Sequence, residues 1–146
     1  MQSTTAGPTQ RTHVYCAPEV ANGDERGRSS DIFSLGCVFL EIFTVLSGAA
    51  TYEDCCTRRQ DADDTSYHAN LEKVETWIDQ LIEKDWRESG AAASVGAQLL
   101  FVVKGMLSKD RDARPSALDI WEFAKGVTLE GSGRICGKCC YESPEW

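Results

Sequence analysis

The stretch S-S-D-I-F-S-L-G-C-V-F-L-E-I-F-T-V-L, residues 29–46, decides how this chain folds. Ser29, Ser30 and Asp31 read as a helix start. Hydroxyls there can accept from free backbone amides, and an acid suits the positive end of the helix dipole. From Ile32 to Leu46 the residues are apolar on nearly every face, interrupted by Ser34, Gly36, Glu41 and Thr44. A helix of that kind belongs in the middle of an assembly of helices. Gly48 is a plausible stop. The apolar run is shorter than the roughly 20 residues of a membrane span, so no membrane partner is expected.

Downstream, Ala49 to Tyr67 is polar and carries Glu53, Asp54, Asp61, Asp63 and Asp64 beside Arg58 and Arg59. It reads as a solvated excursion. From His68 to Trp86 the period becomes helical, with Leu71, Val74, Ile78, Leu81, Ile82 and Trp86 on one stripe. Ser89 to Ala93 breaks it. Leu99, Val102, Val103, Met106 and Leu107 form another stripe, ended before Pro115. Ser116 and Asp119 make an S-x-x-D start, a weaker relative of the capping box. Ala117, Ile120, Trp121 and Ala124 carry the next apolar face, and Trp77, Trp86 and Trp121 read as core.

Upstream, Met1 to Val14 shows no period and reads as a loop, with a short helical turn at Ala17 to Val20. Past Gly126 the period is lost, and Gly131-Ser132-Gly133 reads as a hinge. No stretch shows convincing strand alternation. The fold class is therefore mainly α, with a helical part over residues 1–126 and a flexible Cys-containing tail over residues 127–146.

The 146 residues are 42% hydrophobic and 26% charged, with a formal net charge of −8. That is globular composition. An acidic chain is a poor partner for nucleic acid or anionic lipid, both of which require a basic face. The seven cysteines are Cys16, Cys37, Cys55, Cys56, Cys136, Cys139 and Cys140. An odd number with no apolar targeting segment at the N-terminus argues for a reduced setting, cytoplasmic or nuclear.

Three segments, in order, resemble protein kinases. T-H-V-Y-C-A-P-E, Thr12 to Glu19, looks like the end of an activation segment, where A-P-E sits. D-I-F-S-L-G, Asp31 to Gly36, is similar to the D-x-W-S-x-G start of the central helix of the kinase C-terminal lobe, with Phe33 in place of Trp. M-L-S-K-D-R-D-A-R-P-S-A, Met106 to Ala117, resembles the turn ending in R-P-T/S-A. The resemblance covers about Gly7 to Lys125. It implies the helical C-terminal lobe of a protein kinase-like fold, truncated, with no N-terminal lobe.

The resemblance assigns family motif positions to Thr12, Ala17, Pro18, Glu19, Asp31, Gly36 and Arg114. Glu19 would pair with Arg114. Asp31 would accept from the backbone of the catalytic loop. Thr12 would favour the Ser/Thr type, although Arg11-Thr12-His13-Val14-Tyr15 departs from the usual G-T-P-x-Y. Thr4, Thr5 and Thr9 lie where activation-loop phosphorylation occurs in the family.

The Gly-rich phosphate loop, the lysine of V-A-I-K, H-R-D-x-x-x-x-N and D-F-G are all missing from these residues. Those parts hold the nucleotide and metal during phosphoryl transfer. ATP and Mg are thus implied by the family only, and no catalytic, cofactor-binding or metal residue is expected in this chain. Without the helices that cover the central helix in the family, Ile32, Leu35, Phe39 and Phe43 are expected at the surface.

The leading reading is a Ser/Thr-type kinase domain fragment, inactive alone, in a truncated chain or gene product. A second is a non-catalytic module binding another protein, including through the Leu71–Trp86 helix. A third is a small zinc or redox protein using Cys136, Cys139 and Cys140. Zinc needs four ligands, though, and C-x-x-C alone supplies two.

Overall fold

Gly27, not a serine, stands at the N-cap of the long central helix, and it offers no side-chain cap. The serines do other work. Ser30 Oγ donates to the Gly27 carbonyl and Ser29 Oγ to the Arg111 carbonyl. Placed inside the first turn, they fasten the helix entry to its surroundings.

The computed structural model describes residues 13–60, 64–89, 94–129 and 133–134. Among these, a 3-10 turn at His13–Tyr15 precedes α1 (Pro18–Ala21), α2 (Arg28–Leu46), α3 (Tyr52–Arg59), α4 (Leu71–Ser89), α5 (Val95–Met106) and α6 (Ala117–Gly126). A two-residue antiparallel pair follows, β1 (Thr128–Leu129) and β2 (Gly133–Arg134). The mainly helical architecture matches the sequence reading; the strands are too short to leave a period. Val127, ahead of them, is buried.

Periodicity explains the core. α4 turns Val74, Ile78, Leu81 and Ile82 inward, α5 turns Ala97, Leu100 and Val103, and α2 supplies Phe33, Cys37 and Leu40. The buried face of α5 runs through Leu100, with Leu99 and Val102 only half-buried. Val74, Ile78, Leu81 and Ile82 of the α4 stripe point into the core, which leaves that helix a charged outer face with Trp86 at the surface.

Polar capping sets the joints. Ser94 Oγ accepts from Ala97 N–H, and Asp85 on α4 takes the same amide at 3.1 Å and the Ser94 hydroxyl. A carboxylate from one helix thereby sits at the positive end of the next. Ser116 and Asp119 form a full capping box at α6.

The reading of Ala49 to Tyr67 as a solvated excursion is corrected. α3 forms there behind a capping box of Thr51 and Asp54. Cys55, Arg59, Ser66 and Tyr67 are buried. The T-x-x-D at 51–54 was the available signal, hidden by the surrounding charge.

α2 is apolar all round but is not enclosed. Its 19 residues, with mean hydropathy 1.6 over the most apolar window, suffice by length and composition to cross a membrane, with 39% of that window buried. One face packs on α3 and α5. Leu35, Val38, Phe39, Ile42, Val45 and Leu46 stand at the surface. Leu35 and Phe39 are thus exposed as expected. Ile32 is buried and Phe43 half-buried against the core, so the expectation of surface exposure fails at these two positions. Trp86 and Trp121 are exposed rather than core, and Trp77 is half-buried, its Nε1 donating to Thr44 Oγ1 at 3.1 Å.

Gly36 is required by close approach. A Cβ there would lie 2.9 Å from Met106 Cβ and 3.3 Å from Leu107 side-chain atoms. Met106 Cβ is fixed to its backbone and cannot rotate away. Overpacking costs about 1–3 kcal/mol, against a gain of about 1 kcal/mol in helix propensity. Gly36→Ala is therefore expected to lower the urea midpoint, and an unchanged or higher midpoint would contradict this packing.

Candidate functional site

The 18–21 helix places Pro18 at its first position, where a missing N–H is tolerated, and projects Glu19 inward. Ala17 ahead of it is buried. Ninety-five residues along the chain, the extended backbone at Arg114 holds a guanidinium against the same spot. Arg114 Nη1 donates to Glu19 Oε1 at 2.7 Å and Nη2 to Glu19 Oε2 at 2.8 Å. This fork-to-fork arrangement is the strongest form of a carboxylate–arginine contact.

The remaining guanidinium hydrogens are also used. Nε donates to the Ser108 carbonyl at 2.8 Å and Nη1 to the Ser29 carbonyl at 3.0 Å. The Phe33 ring lies 5.0 Å beneath the cation. The Arg114 side chain is fully covered and that of Glu19 nearly so. Burial alone pushes the Glu19 carboxyl up. Hydrogen bonds from Arg114 and the Glu19 backbone, with the charges of Arg114 and Arg111, outweigh it and hold the carboxyl below its ordinary range.

Asp31 sits in the first turn of α2, exposed, and accepts from Arg26 at 3.1 Å. Gly36 lies one turn further, against Met106 and Leu107. Thr12, and the phosphorylation candidates Thr4, Thr5 and Thr9, fall outside the described residues, as do Cys136, Cys139 and Cys140.

A second buried polar cluster escaped the sequence reading. Glu41, the one charge within the apolar run of α2, accepts from Arg59 Nη1 at 3.3 Å and from the Tyr67 hydroxyl at 3.0 Å on Oε1. Its Oε2 accepts from the Tyr15 hydroxyl at 3.1 Å. Arg59 Nε donates to the Thr65 carbonyl at 2.6 Å, and its guanidinium stacks 4.0 Å over the Tyr67 ring. Burial first, then the Tyr52 hydroxyl and the Glu41 charge, push the Tyr15 phenol up; burial does the same for Tyr67. Both therefore stay protonated donors. A lone carboxylate amid apolar residues was the signal, since a buried charge must be paired.

The two clusters fasten one segment. Ser34 Oγ donates to the Tyr15 carbonyl at 2.9 Å, so residues 15–19 are held to α2 at one end and to Arg114 at the other. Among the described residues the arrangement positions backbone. It brings no nucleophile and base together.

Comparison with known proteins is consistent with this layout. Residues 2–124 match the protein kinase domain family. The chain is 28% identical over 138 residues to the serine/threonine-protein kinase PLK2 of Mus musculus, covering 92% of this chain and 16% of that protein. It is 43% identical over 37 residues to mitogen-activated protein kinase kinase kinase 17 of Arabidopsis thaliana, 25% of this chain and 10% of that protein. A probable inactive receptor kinase of Arabidopsis thaliana is 23% identical over 145 residues, 92% of this chain and 20% of that protein. The chain thus spans about a sixth of the length of the PLK2 relatives. No solved structure gives a significant match.

Proposed function

This chain belongs to the protein kinase domain family, and from that membership we propose that it is the helical base of a Ser/Thr-type kinase domain, without phosphoryl transfer of its own. The base would run from the end of the activation segment, through the C-terminal lobe, to the helices beyond Arg114. The observation that carries this reading is the buried Glu19–Arg114 pair, which ties an A-P-E segment to the turn before α6. Thr12 would then lie near the catalytic aspartate of the complete domain, and Thr4, Thr5 and Thr9 would be regulatory phosphorylation positions.

Mg-ATP is the cofactor pair the family implies, and the acids described here do not fit it. Asp110 accepts from the Asp112 amide, Asp119 is engaged by Ser116, and Asp31 pairs with Arg26. The 146 residues include no Gly-rich loop, β3 lysine, H-R-D or D-F-G, the parts that hold nucleotide and metal. A site with a Kd of about 10 μM would add about 2.7 kcal/mol at 1 mM ligand. The expected result is no rise in Tm of the purified chain at about 1 mM Mg-ATP. A clear rise, or radiolabel transfer to a protein substrate, would overturn the inactive assignment.

A second reading, docking to another protein without catalysis, is favoured by the exposed stripe of α2, where Ile42 is 50% and Leu46 81% exposed. Contiguous apolar surface of this kind marks a partner face or an aggregation hazard. Phe39→Lys with Ile42→Lys should reduce concentration-dependent association in sedimentation, and unchanged association would remove α2 as its cause. Protein partners and a reduced intracellular setting go with either reading. Cys16, Cys37 and Cys55 are buried free thiols, consistent with that setting.

A further inference from the structure

His13, Asp64 and His68 belong to neither polar cluster described above, yet one ligand atom from each lies within 4.8 Å of the other two. They come from two segments that are fastened by other residues. The Tyr67 amide donates to the Val14 carbonyl at 2.9 Å, and the Tyr15 and Tyr67 rings stack with centroids 5.9 Å apart. Asn70, buried, locks the loop that carries Asp64 and His68. Its side-chain amide donates to the carbonyls of Asp64 at 3.0 Å and Ser66 at 2.8 Å. The backbone segments that carry the three side chains are thus held together by contacts outside the cluster.

Each side chain also has an orientation. The Asp64 carboxylate accepts from the Ser66 amide at 2.7 Å on Oδ1. His68 Nε2 lies 3.4 Å from Ser66 Oγ. The His13 and His68 rings meet edge to face, centroids 5.3 Å apart. His13 is exposed and the other two half-buried, so the cluster is open to solvent on one side.

Two imidazoles and one carboxylate are the donor set of borderline divalent transition ions; magnesium and calcium prefer oxygen alone. Three protein donors leave a fourth position for water, as in open zinc sites. Donors on a tetrahedral zinc at about 2.0–2.1 Å lie roughly 3.3–3.4 Å from one another, so rotations moving the donors by about 1 Å would close the site. We propose that His13, Asp64 and His68 form a divalent transition-metal site, of a donor set that suits zinc, that clamps the His13–Tyr15 turn onto the 64–70 loop. The two histidines lie 55 residues apart, so no local spacing pairs them. The proposal is independent of the family's activity.

The test uses the full chain with Cys136, Cys139 and Cys140 replaced by serine, which removes the tail thiolates as competing ligands. Cobalt is titrated in, then displaced by zinc. The expected result is one equivalent of cobalt with ligand-field absorption and no thiolate charge-transfer band. Affinity should fall at least tenfold in His13→Ala, Asp64→Asn and His68→Ala, and zinc should raise the Tm of the parent but not of His13→Ala. His13 is exposed, so His13→Ala should keep the metal-free Tm and decides the matter even where His68→Ala fails to fold. Absence of a one-equivalent site, sulfur charge transfer in the bound spectrum, or unchanged affinity in His13→Ala would each overturn the proposal.

Discussion

Arg114→Ala is expected to lose about 3–5 kcal/mol of stability, the range for removing one partner of a buried ion pair. The loss comes from what stays behind. Glu19 would remain covered, its carboxylate stripped of two short hydrogen bonds, and the Ser29 and Ser108 carbonyls would each lose a donor. Glu19→Gln should cost in the same direction by stranding the guanidinium. For a domain of this size such losses amount to a fall in Tm on the order of 10 °C or more.

Acid provides an independent check on the same pair. Glu19 titrates below its ordinary value of 4.5 in the folded chain. A carboxylate with a depressed folded pKa contributes stability that is complete above the unfolded pKa and is lost as pH falls through the folded one. The gap between wild type and Glu19→Gln should be full at pH 6 and narrow below about pH 4.5, as wild-type Glu19 takes up the proton that glutamine mimics. Urea midpoints measured from pH 6 to pH 3 would show this. A gap that does not change with pH would mean the carboxylate charge contributes nothing, and Arg114→Ala within 1 kcal/mol of wild type would sink the tie altogether.

The Glu19–Arg114 pair also shows what kind of information one sequence carries. Motif order brought two residues ninety-five positions apart onto one expectation, and local signals (start residues, an apolar run and helical periodicity) found α2, α4, α5 and α6. Phase was harder. On α5 both Leu99 and Leu100 are apolar, and only packing against α2 and α4 decides that Leu100 is the buried one. Composition misled at α3, where a run of charges masks a helix whose last arginine is buried. Solvent exposure of the α2 stripe depends on which neighbours are present, which no local pattern encodes. Glu41 was legible as an anomaly, but its partners Tyr15, Arg59 and Tyr67 lie on three other segments and share no spacing with it.

Glu41→Leu should be about as damaging as the loss of Arg114, again about 3–5 kcal/mol. The substitution suits an apolar helix locally, so propensity and packing favour it. The cost falls on the partners. Arg59, 3% exposed at its side chain, would be left as an unpaired buried cation, and the Tyr15 and Tyr67 hydroxyls would lose their shared acceptor. Stranded hydroxyls cost about 1–3 kcal/mol each in isolation, but the three share one carboxylate and their losses cannot be summed. Arg59→Met alone should also destabilise, by leaving Glu41 buried with only neutral donors. The double variant Glu41→Leu with Arg59→Met removes both charges and fills similar volume, and it should be more stable than either single variant, as apolar replacement of a buried pair often is. Chemical denaturation of the three variants measures this coupling directly. Strict additivity, with the double variant as unstable as the sum of the singles, would mean the two side chains act separately and that residues 15–19 owe their placement on α2 to Ser34 and Arg114 alone.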